Sequence, residues 1–217
     1  MALGDTAPLD TAAALARPLR RDAAQNRERL LDAAARVFAA RGLDASVEEI
    51  ARVAGLGMGT LYRRFPTKEA LVGELVRQQL LDVVEAGQTA GSLPAGKGLE
   101  RFLWRTGELM AARIGCLARL WTEAGTAELL ERLRALVGAL LDDAQRHGRI
   151  RDDVDVADIS LLLHGLNGVI ATCQPIAPGI WRRSLELSIA GLRPGPAPLS
   201  SPPISRWEME AISHRPR

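Results

Sequence analysis

The sequence predicts an all-α protein with about nine helices, and three observations lead to this prediction. Apolar residues recur at three- and four-residue spacing through most of the chain between its two ends. No stretch alternates apolar and polar residues with the enrichment in β-branched residues that is typical of strands. The composition, 47% hydrophobic and 25% charged over 217 residues, is that of a soluble globular protein and excludes a wholly disordered chain.

Both ends of the chain are predicted to be disordered tails. Residues 1–20 contain Pro8 and Pro18, and residues 194–217 contain six prolines. Proline lacks the amide donor and interrupts regular structure, so neither segment is expected to pack. In the second tail, a proline-rich partner site is the alternative to a plain linker. The first tail has no basic start before an apolar stretch, so no secretory signal is expected.

The first half of the chain predicts four helices. Apolar spacing indicates a helix over about 22–41, ending at Gly42. Ser46 begins a capping box, in which its hydroxyl accepts from the amide of Glu49 and the Glu49 carboxylate reaches back. The other helices are predicted from Val47 to Ala54, over about 58–64 and over about 68–88, with breaks at Gly55 and Pro66.

The second half predicts a helical domain that follows a loose segment, Gly91 to Gly98. The helix over about 156–172 is apolar on more than one face, so one face can contact the core and another a second subunit. No run of about 18 apolar residues occurs, so no membrane-spanning helix is expected. Helices are predicted at about 98–113, 115–122, 127–147, 156–172 and 179–192.

Charge is distributed unevenly although its sum is small. The net charge is only +2, which does not by itself indicate a nucleic-acid binder. From Arg17 to Lys68, however, 11 basic residues stand against 6 acidic ones. The basic excess therefore lies in one stretch, the part of the chain that carries the first three helices and the start of the fourth.

Residues 47–65, VEEIARVAGLGMGTLYRRF, fit a helix-turn-helix position by position. Ile50, Ala54, Leu56 and Leu61 are the apolar positions that pack the two helices together. Gly55 lies at the turn, where glycine adopts a positive φ at little cost. A second helix of this kind fits the DNA major groove, which is about 12 Å wide. The residues predicted to face outward are Met58, Gly59, Thr60, Tyr62 and Arg63.

Residues 26–72 resemble the TetR family of transcriptional regulators. The motifs that carry the resemblance are Gly59-Thr60-Leu61-Tyr62, Phe65-Pro66-Thr67-Lys68-Glu69-Ala70-Leu71, Ile50-Ala51, Ala54-Gly55 and the helix that begins Arg29-Leu30-Leu31-Asp32-Ala33-Ala34. The resemblance implies a DNA-binding domain over residues 21–66 and a ligand-binding and dimerisation domain over residues 67–193. It further implies a cytoplasmic homodimer that represses from a palindromic operator and is released by a small-molecule effector.

Roles on DNA follow from side-chain chemistry together with the resemblance. The Tyr62 hydroxyl can reach a phosphate, with a core tyrosine as the alternative. Lys68 begins a helix, where the dipole favours an anion; a solvated lysine is the alternative. Thr60 can touch a base edge or a thymine methyl group. The predicted DNA-binding residues are Ser46, Gly57, Met58, Thr60, Tyr62, Arg63 and Lys68, although capping explains Ser46 fully and the family more often has serine near Gly57 and Met58.

The second half offers candidates for a pocket and for a dimer interface. An apolar site with a few polar anchors would suit a small-molecule effector, although an aromatic stripe can equally be plain core. The pocket candidates are Phe102, Trp104, Met110, Trp121, His164 and Asn167, with Cys116 nearby and Arg105, Arg113 and Arg119 available to a carboxylate. The interface candidates are Leu162, Leu166, Val169, Ile170, Trp181 and Leu185.

Catalysis finds little support in the sequence. The three histidines and two cysteines do not fall at metal-ligand spacing, and no nucleophile or phosphate-loop motif follows a strand. No enzyme activity, metal or cofactor is therefore expected. The alternative from another class is a helical small-molecule-binding protein or enzyme that retains a helix-turn-helix as scaffold. The effector, the operator sequence and the choice between repressor and activator are left open.

Overall fold

The computed structural model describes residues 10–112, 126–173 and 176–213, and within these ranges every regular element is an α-helix. The predicted all-α fold class is confirmed. The helix predicted at about 115–122 lies outside the described residues. The described helices are α1 (Asp10–Arg41), α2 (Val47–Ala54), α3 (Met58–Arg64), α4 (Lys68–Gly91), α5 (Gly98–Ala112), α6 (Ala127–Arg146), α7 (Val156–Cys173), α8 (Ile180–Leu192) and α9 (Arg206–Ser213).

The chain divides into two compact units, residues 1–71 and residues 72–217. The division falls in the first turn of α4. In the first unit α2 packs against α1 and is followed directly by α3. Leu30, Phe38, Ile50 and Leu61 are almost fully buried and form the centre of this core. The predicted packing of the helix-turn-helix is therefore found, and Phe65 joins the same core.

Gly55 ends α2 in the left-handed conformation, with φ 66° and ψ 35°. Its amide donates to the carbonyls of Ala51 and Arg52, which closes the last turn. A Cβ at this position would lie 3.0 Å from Nη2 of Arg29. Both the backbone conformation and the close approach of α1 therefore favour glycine at the turn.

The helix α1 begins at Asp10, where the sequence analysis predicted a disordered tail as far as residue 20. Pro18 lies inside the helix and removes one backbone hydrogen bond there. The surrounding stretch is rich in alanine, the residue with the highest helix propensity, and this outweighs the single break. The tail over residues 1–20 stays a prediction, and residues 1–9 lie outside the described part of the chain.

The second unit is a helical bundle in which α5 contacts α6, α7 and α8. Phe102 and Trp181 are among its largest fully buried side chains. Gly107 in α5 allows α8 to approach closely, because a Cβ at that position would lie 2.5 Å from Cζ3 of Trp181. Gly138 in α6 has more room, since its Cβ would lie 3.7 Å from Cγ2 of Val156.

The helices α4 and α5 run antiparallel, joined by a short turn. A Cβ on Gly98 would lie 2.7 Å from the carbonyl oxygen of Ala90, at the last turn of α4. Phe102 lies one turn beyond Gly98 in α5, and Gly87 lies one turn before Ala90 in α4. A Cβ on Gly87 would lie 3.7 Å from Cδ2 of Phe102. At these contacts, residues further along α5 therefore lie beside residues nearer the start of α4.

Adding one methyl group should have opposite effects on stability at Gly107 and at Gly138. Gly107→Ala should destabilise the protein by about 1–3 kcal/mol, because the buried indole of Trp181 cannot move aside without repacking. Gly138→Ala is the matched control and should stabilise it by up to about 1 kcal/mol, because alanine is the better helix former and the space is free. Urea unfolding of the two variants measures the difference. Equal effects of the two substitutions would contradict this account of the packing.

Residues 194–213 make hydrogen bonds and contacts with the rest of the second unit, whereas the sequence analysis predicts a disordered tail over residues 194–217. Nη2 of Arg151 donates to the carbonyl of Ala197 at 2.7 Å, and the amide of Leu199 donates to Oδ2 of Asp153 at 2.8 Å. The helix α9 then contacts α7, and Met209 is buried. The prolines block helix formation over residues 194–205, but an extended chain can still be held by its carbonyls and amides.

The pair Arg151–Asp153 holds this segment, which we term the C-terminal strap (residues 194–205). Hydrogen bonds from the Arg151 guanidinium and from the Leu199 amide lower the pKa of the Asp153 carboxyl to about 2 from its usual 3.8. A carboxylate with a lowered pKa contributes stability above its ordinary pKa and loses it as the pH falls through the lowered one. The strap should therefore be held at neutral pH and released between about pH 4 and pH 2.

Removing the Asp153 carboxylate should release the strap at neutral pH. Asp153→Ala deletes the acceptor of both the Arg151 and the Leu199 hydrogen bonds. Trypsin should then cleave more rapidly after Arg206, because local opening gives the protease access. Asp152→Ala is the control, since Asp152 is an exposed neighbour of the same charge. Equal cleavage rates in the two variants would mean that Asp153 does not hold the strap.

The helix α7 is long and apolar enough to cross a membrane when judged by length and composition alone, which the sequence analysis did not anticipate. The same test is passed by helices of soluble proteins. Ile159, Leu163, Leu166 and Ile170 are buried in the structure, and α7 contacts α5, α6 and α8. Packing in the bundle accounts for the apolar character of this face.

Candidate functional site

The second helix of the helix-turn-helix, α3, presents a small and polar outer face. Gly57 caps its start in extended backbone, and the Thr60 amide donates to the Gly57 carbonyl at 2.9 Å. Leu61 faces inward and is 1% exposed, whereas Tyr62 is 46% exposed. A Cβ at Gly57 or at Gly59 would have no atom within 4 Å. Packing does not require glycine at these two positions, and their bare backbone leaves space for a partner to approach.

A groove of about 500 Å³ separates α3 from α1 in the first unit. Nη2 of Arg63 lies 3.4 Å from Oγ1 of Thr60, and Nη2 of Arg64 lies 3.5 Å from the Ala23 carbonyl. Both arginines are exposed, so the rim of the groove is basic and wet. The sequence analysis named Thr60 and Arg63 but missed the contribution of α1. The polar residues that line the groove are Asp22, Asn26, Arg27, Thr60, Arg63 and Arg64.

Lys68 lies at the start of α4, and its side chain is half-buried. Its Nζ is 5.9 Å from the centre of the Phe38 ring, within the range of a cation–π interaction. Oγ1 of Thr67 accepts from the Ala70 amide at 3.1 Å and caps the helix. The contact with the Phe38 ring limits the directions in which the charged end of Lys68 can point.

Ser46 caps α2 as the sequence predicts, since its Oγ accepts from the Glu49 amide at 3.3 Å. The Glu49 carboxylate, expected to reach back to Ser46, instead pairs with two arginines. Its Oε2 lies 3.0 Å from Nη1 of Arg41, and its Oε1 lies 3.5 Å from Nη2 of Arg52. The charged partners compete better than a neutral amide for the carboxylate. The Ser46 hydroxyl is exposed but already accepts one hydrogen bond.

The pocket candidates of the second unit do not form one cluster. Phe102 and Met110 lie one above the other on the buried face of α5, whereas Trp104 is half-buried, with its ring 6.1 Å from that of Trp181. His164 and Asn167 are half-exposed on α7, and Nδ1 of His164 lies 2.9 Å from the Ser160 carbonyl. Trp121, Cys116, Arg113 and Arg119 lie outside the described residues. The pocket therefore stays a prediction.

Four of the six interface candidates are buried within the chain itself. Leu166, Ile170, Trp181 and Leu185 are all at most 3% exposed, so their side chains offer no surface to a second subunit. This corrects the prediction that these four side chains contact a second subunit. Leu162 and Val169 are half-exposed and stay candidates. The apolar residues that α7 and α8 leave most exposed are Leu161, Ile180 and Leu187.

Within the described part of the chain, no group of three or more histidine, cysteine, aspartate or glutamate side chains is arranged to hold a metal ion. A surface pair lies at the end of α6, with Nδ1 of His147 3.3 Å from Oδ1 of Asp143. Asp143 also accepts from the Gly96 amide at 3.0 Å. The pair thus fastens the α4–α5 turn to the end of α6, which is a structural role.

The first unit is a helix-turn-helix with a basic, exposed second helix, and this class of protein binds DNA. Two family models match the chain. Residues 30–75 match the bacterial regulatory proteins of the TetR family, and residues 94–194 match the C-terminal domain of SbtR-like transcriptional regulators.

Individual relatives agree with the family models. The chain is 32% identical over 143 residues to the transcriptional repressor KstR2 of Rhodococcus jostii, covering 60% of this chain and 70% of that one. A TetR regulator of Streptomyces coelicolor has 33% identity and a TM-score of 0.58, covering 77% of this chain and 98% of its own. One from Mycobacterium vanbaalenii has 36% identity and a TM-score of 0.57, covering 82% and 100%. The protein therefore belongs to the TetR family and is a DNA-binding transcriptional regulator.

Proposed function

We propose that this regulator is a homodimeric repressor that binds a palindromic operator and leaves it when a small-molecule effector binds the second unit. The observation that carries the proposal is the outer face of α3, where Thr60, Tyr62 and Arg63 are presented by a helix that Leu61 anchors in the core. The curated relative KstR2 of R. jostii is a repressor, which supports that mode of action here. We propose no catalytic step for this protein. We further propose that the regulator acts in the cytoplasm.

Three side chains divide the work on DNA. Thr60 lies on the outer face of α3 and is short enough to touch a base edge or a thymine methyl group. The exposed hydroxyl of Tyr62 donates to a phosphate oxygen. The Lys68 ammonium, steadied by the Phe38 ring, neutralises a second phosphate. Gly57, Met58 and Arg63 line the same face, and Ser46 contributes its remaining hydrogen-bonding capacity.

The dimer forms through the exposed faces of α7 and α8. Leu161, Gly165 and Gly168 follow one another at four- and three-residue spacing and share one side of α7. A Cβ on either glycine would have no atom within 4 Å, so a second helix can approach closely there. Leu187 of α8 is 60% exposed, far more than a leucine in a core. Leu162 and Val169 border this stripe.

Binding of DNA should depend on Lys68 and Tyr62 in different ways. Lys68→Ala removes one phosphate contact per protomer, so the salt dependence of log K should fall by about one unit per protomer. Tyr62→Phe removes a neutral hydrogen bond to a charged group and should weaken binding about tenfold with an unchanged salt slope. Thr60→Ala should change sequence preference. Gel shifts with the upstream region of its own gene, over a salt series, measure all three.

Lys97→Ala is the matched control for Lys68→Ala, because Lys68 and Lys97 are the only lysines of the chain. Lys97 is exposed and lies in the second unit. Its substitution should leave both the affinity and the salt slope unchanged. Wild-type DNA binding by the double variant Tyr62→Phe/Lys68→Ala at about 150 mM salt would reject the proposed interface.

The dimer face is tested by placing a charge on it. Leu187→Glu should give a folded monomer, because an unpaired carboxylate in an apolar contact costs several kcal/mol, on the order of 3–5. Leu166→Glu should instead unfold the chain, since Leu166 belongs to the core. Sedimentation equilibrium gives the assembly state, and circular dichroism gives the helix content.

Leu199→Glu is the control for the dimer experiment. Leu199 is 50% exposed and lies in the C-terminal strap rather than on α7 or α8. The wild-type assembly state should survive this substitution. A Leu187→Glu variant that is still dimeric would place the interface elsewhere.

A further inference from the structure

Among the described residues of the second unit, two buried polar side chains have no hydrogen-bond partner. Gln79 in α4 and Thr106 in α5 are each 1% exposed. Both atoms of the Gln79 amide, Oε1 and Nε2, and Oγ1 of Thr106 are unpaired. Buried polar groups are normally satisfied, and a buried one left without a partner destabilises the folded state. A site that binds something polar would account for such a group.

Both residues interrupt apolar stripes. Gln79 stands between Val76 and Val83 on the buried face of α4. Thr106 stands between Phe102 and Met110, each four residues away, on the buried face of α5. Phe102 and Met110 are two of the residues that the sequence predicts to line a pocket. The unpaired groups therefore lie in the apolar surroundings predicted for an effector.

The contact between Gly87 of α4 and Phe102 of α5 gives a register for the two helices. Phe102 faces Gly87, as the position of the Gly87 Cβ shows. Thr106 lies one turn beyond Phe102, about 6 Å by helix rise, and Gln79 lies about 12 Å back from Gly87. If α4 and α5 stay antiparallel over this length, the two polar groups differ in level by about one turn of helix, which one small molecule can bridge.

We propose that Gln79 and Thr106 are the polar anchors of the effector site, and that the effector carries an uncharged head group which both donates and accepts hydrogen bonds. This rests on the effector-responsive function proposed above. The amide of Gln79 offers one acceptor and two donor hydrogens, and the hydroxyl of Thr106 offers both roles. An alcohol, a hydroxylated ketone or a primary amide on an apolar body satisfies them.

A charged head group fits this site poorly. Among the described residues, the buried polar side chains are Gln79, Thr106 and Thr126, none of which carries a charge. Arg105 is one of the arginines that the sequence analysis makes available to a carboxylate. It is exposed, and its Nη1 lies 3.0 Å from Oε2 of Glu108. No buried charged side chain of the described residues could pair with a carboxylate at the anchors, and a buried charge without a partner is strongly unfavourable.

The first test measures the protein without ligand. Gln79→Leu and Thr106→Val keep the approximate side-chain volume but remove the unpaired atoms. Each should raise the Tm, by about 3 °C, because an unsatisfied group is replaced by an apolar one. Thr126→Val is the control, since Thr126 is 3% exposed and has an interaction partner; its Tm should not rise. A fall in Tm for both anchor variants would mean that the groups are satisfied, and it overturns the proposal.

The second test uses decanamide and decanoate, which share a body and differ in the charge of the head group. Decanamide should raise the Tm of the wild-type protein by a few degrees, and Gln79→Leu should weaken its binding at least about tenfold. The proposal is overturned if decanamide does not stabilise the protein or if only decanoate does. It is also overturned if the stabilisation by decanamide persists in both anchor variants.

Gel shifts with the same two compounds separate this inference from the proposed function. Release of the operator by decanamide, lost in Gln79→Leu, supports both. If decanamide binds through Gln79 while the operator stays bound, the site is supported and the effector switch is rejected. Release by decanoate through other residues keeps the switch and rejects the anchors.

Discussion

The exposed face of α3 depends on one buried side chain. A helix of seven residues is too short to be stable in water, because nucleation costs more than two turns of hydrogen bonds return. Leu61 is almost fully buried and Phe65 follows it into the core, so tertiary packing supplies what the helix lacks. Thr60 and Tyr62, on either side of Leu61, then point outward as a necessary consequence. The position of the recognition residues is therefore set by packing on their inner side.

The helix-turn-helix could be predicted from the sequence because its determinants are local. Gly55 has the positive φ that the turn requires, and Ser46 caps α2, each within a few residues of the feature that it explains. The apolar positions Ile50 and Leu61 are buried as their spacing indicates. Contacts that join distant parts of the chain could not be predicted in this way. The groove between α1 and α3 is an example, since nothing in the spacing shows that Ala23 meets Arg64.

The dimer face illustrates a different limit. The helix α7 is apolar nearly all round, so periodicity indicates that it has two apolar faces without saying which of them packs inside the chain. The sequence analysis assigned Leu166 and Ile170 to the partner, but the bundle buries them. Burial is decided by α5, α6 and α8, which contact that side. The strap was missed for a related reason: its hydrogen bonds join Arg151 and Asp153 to backbone groups 46 residues away.

The proposed regulation requires that the effector and the operator prefer different conformations. A ligand that binds both conformations equally shifts nothing, however tightly it binds. Linkage is also reciprocal, so an effector that weakens operator binding tenfold is itself bound about tenfold more weakly by the operator complex. Gln79 and Lys68 belong to one helix, α4, so a change in the packing of α4 around the buried amide also acts on the helix that begins with Lys68. An unpaired amide in the free protein suits this arrangement, because the conformation that lets a ligand satisfy Gln79 gains stability only when that ligand is present.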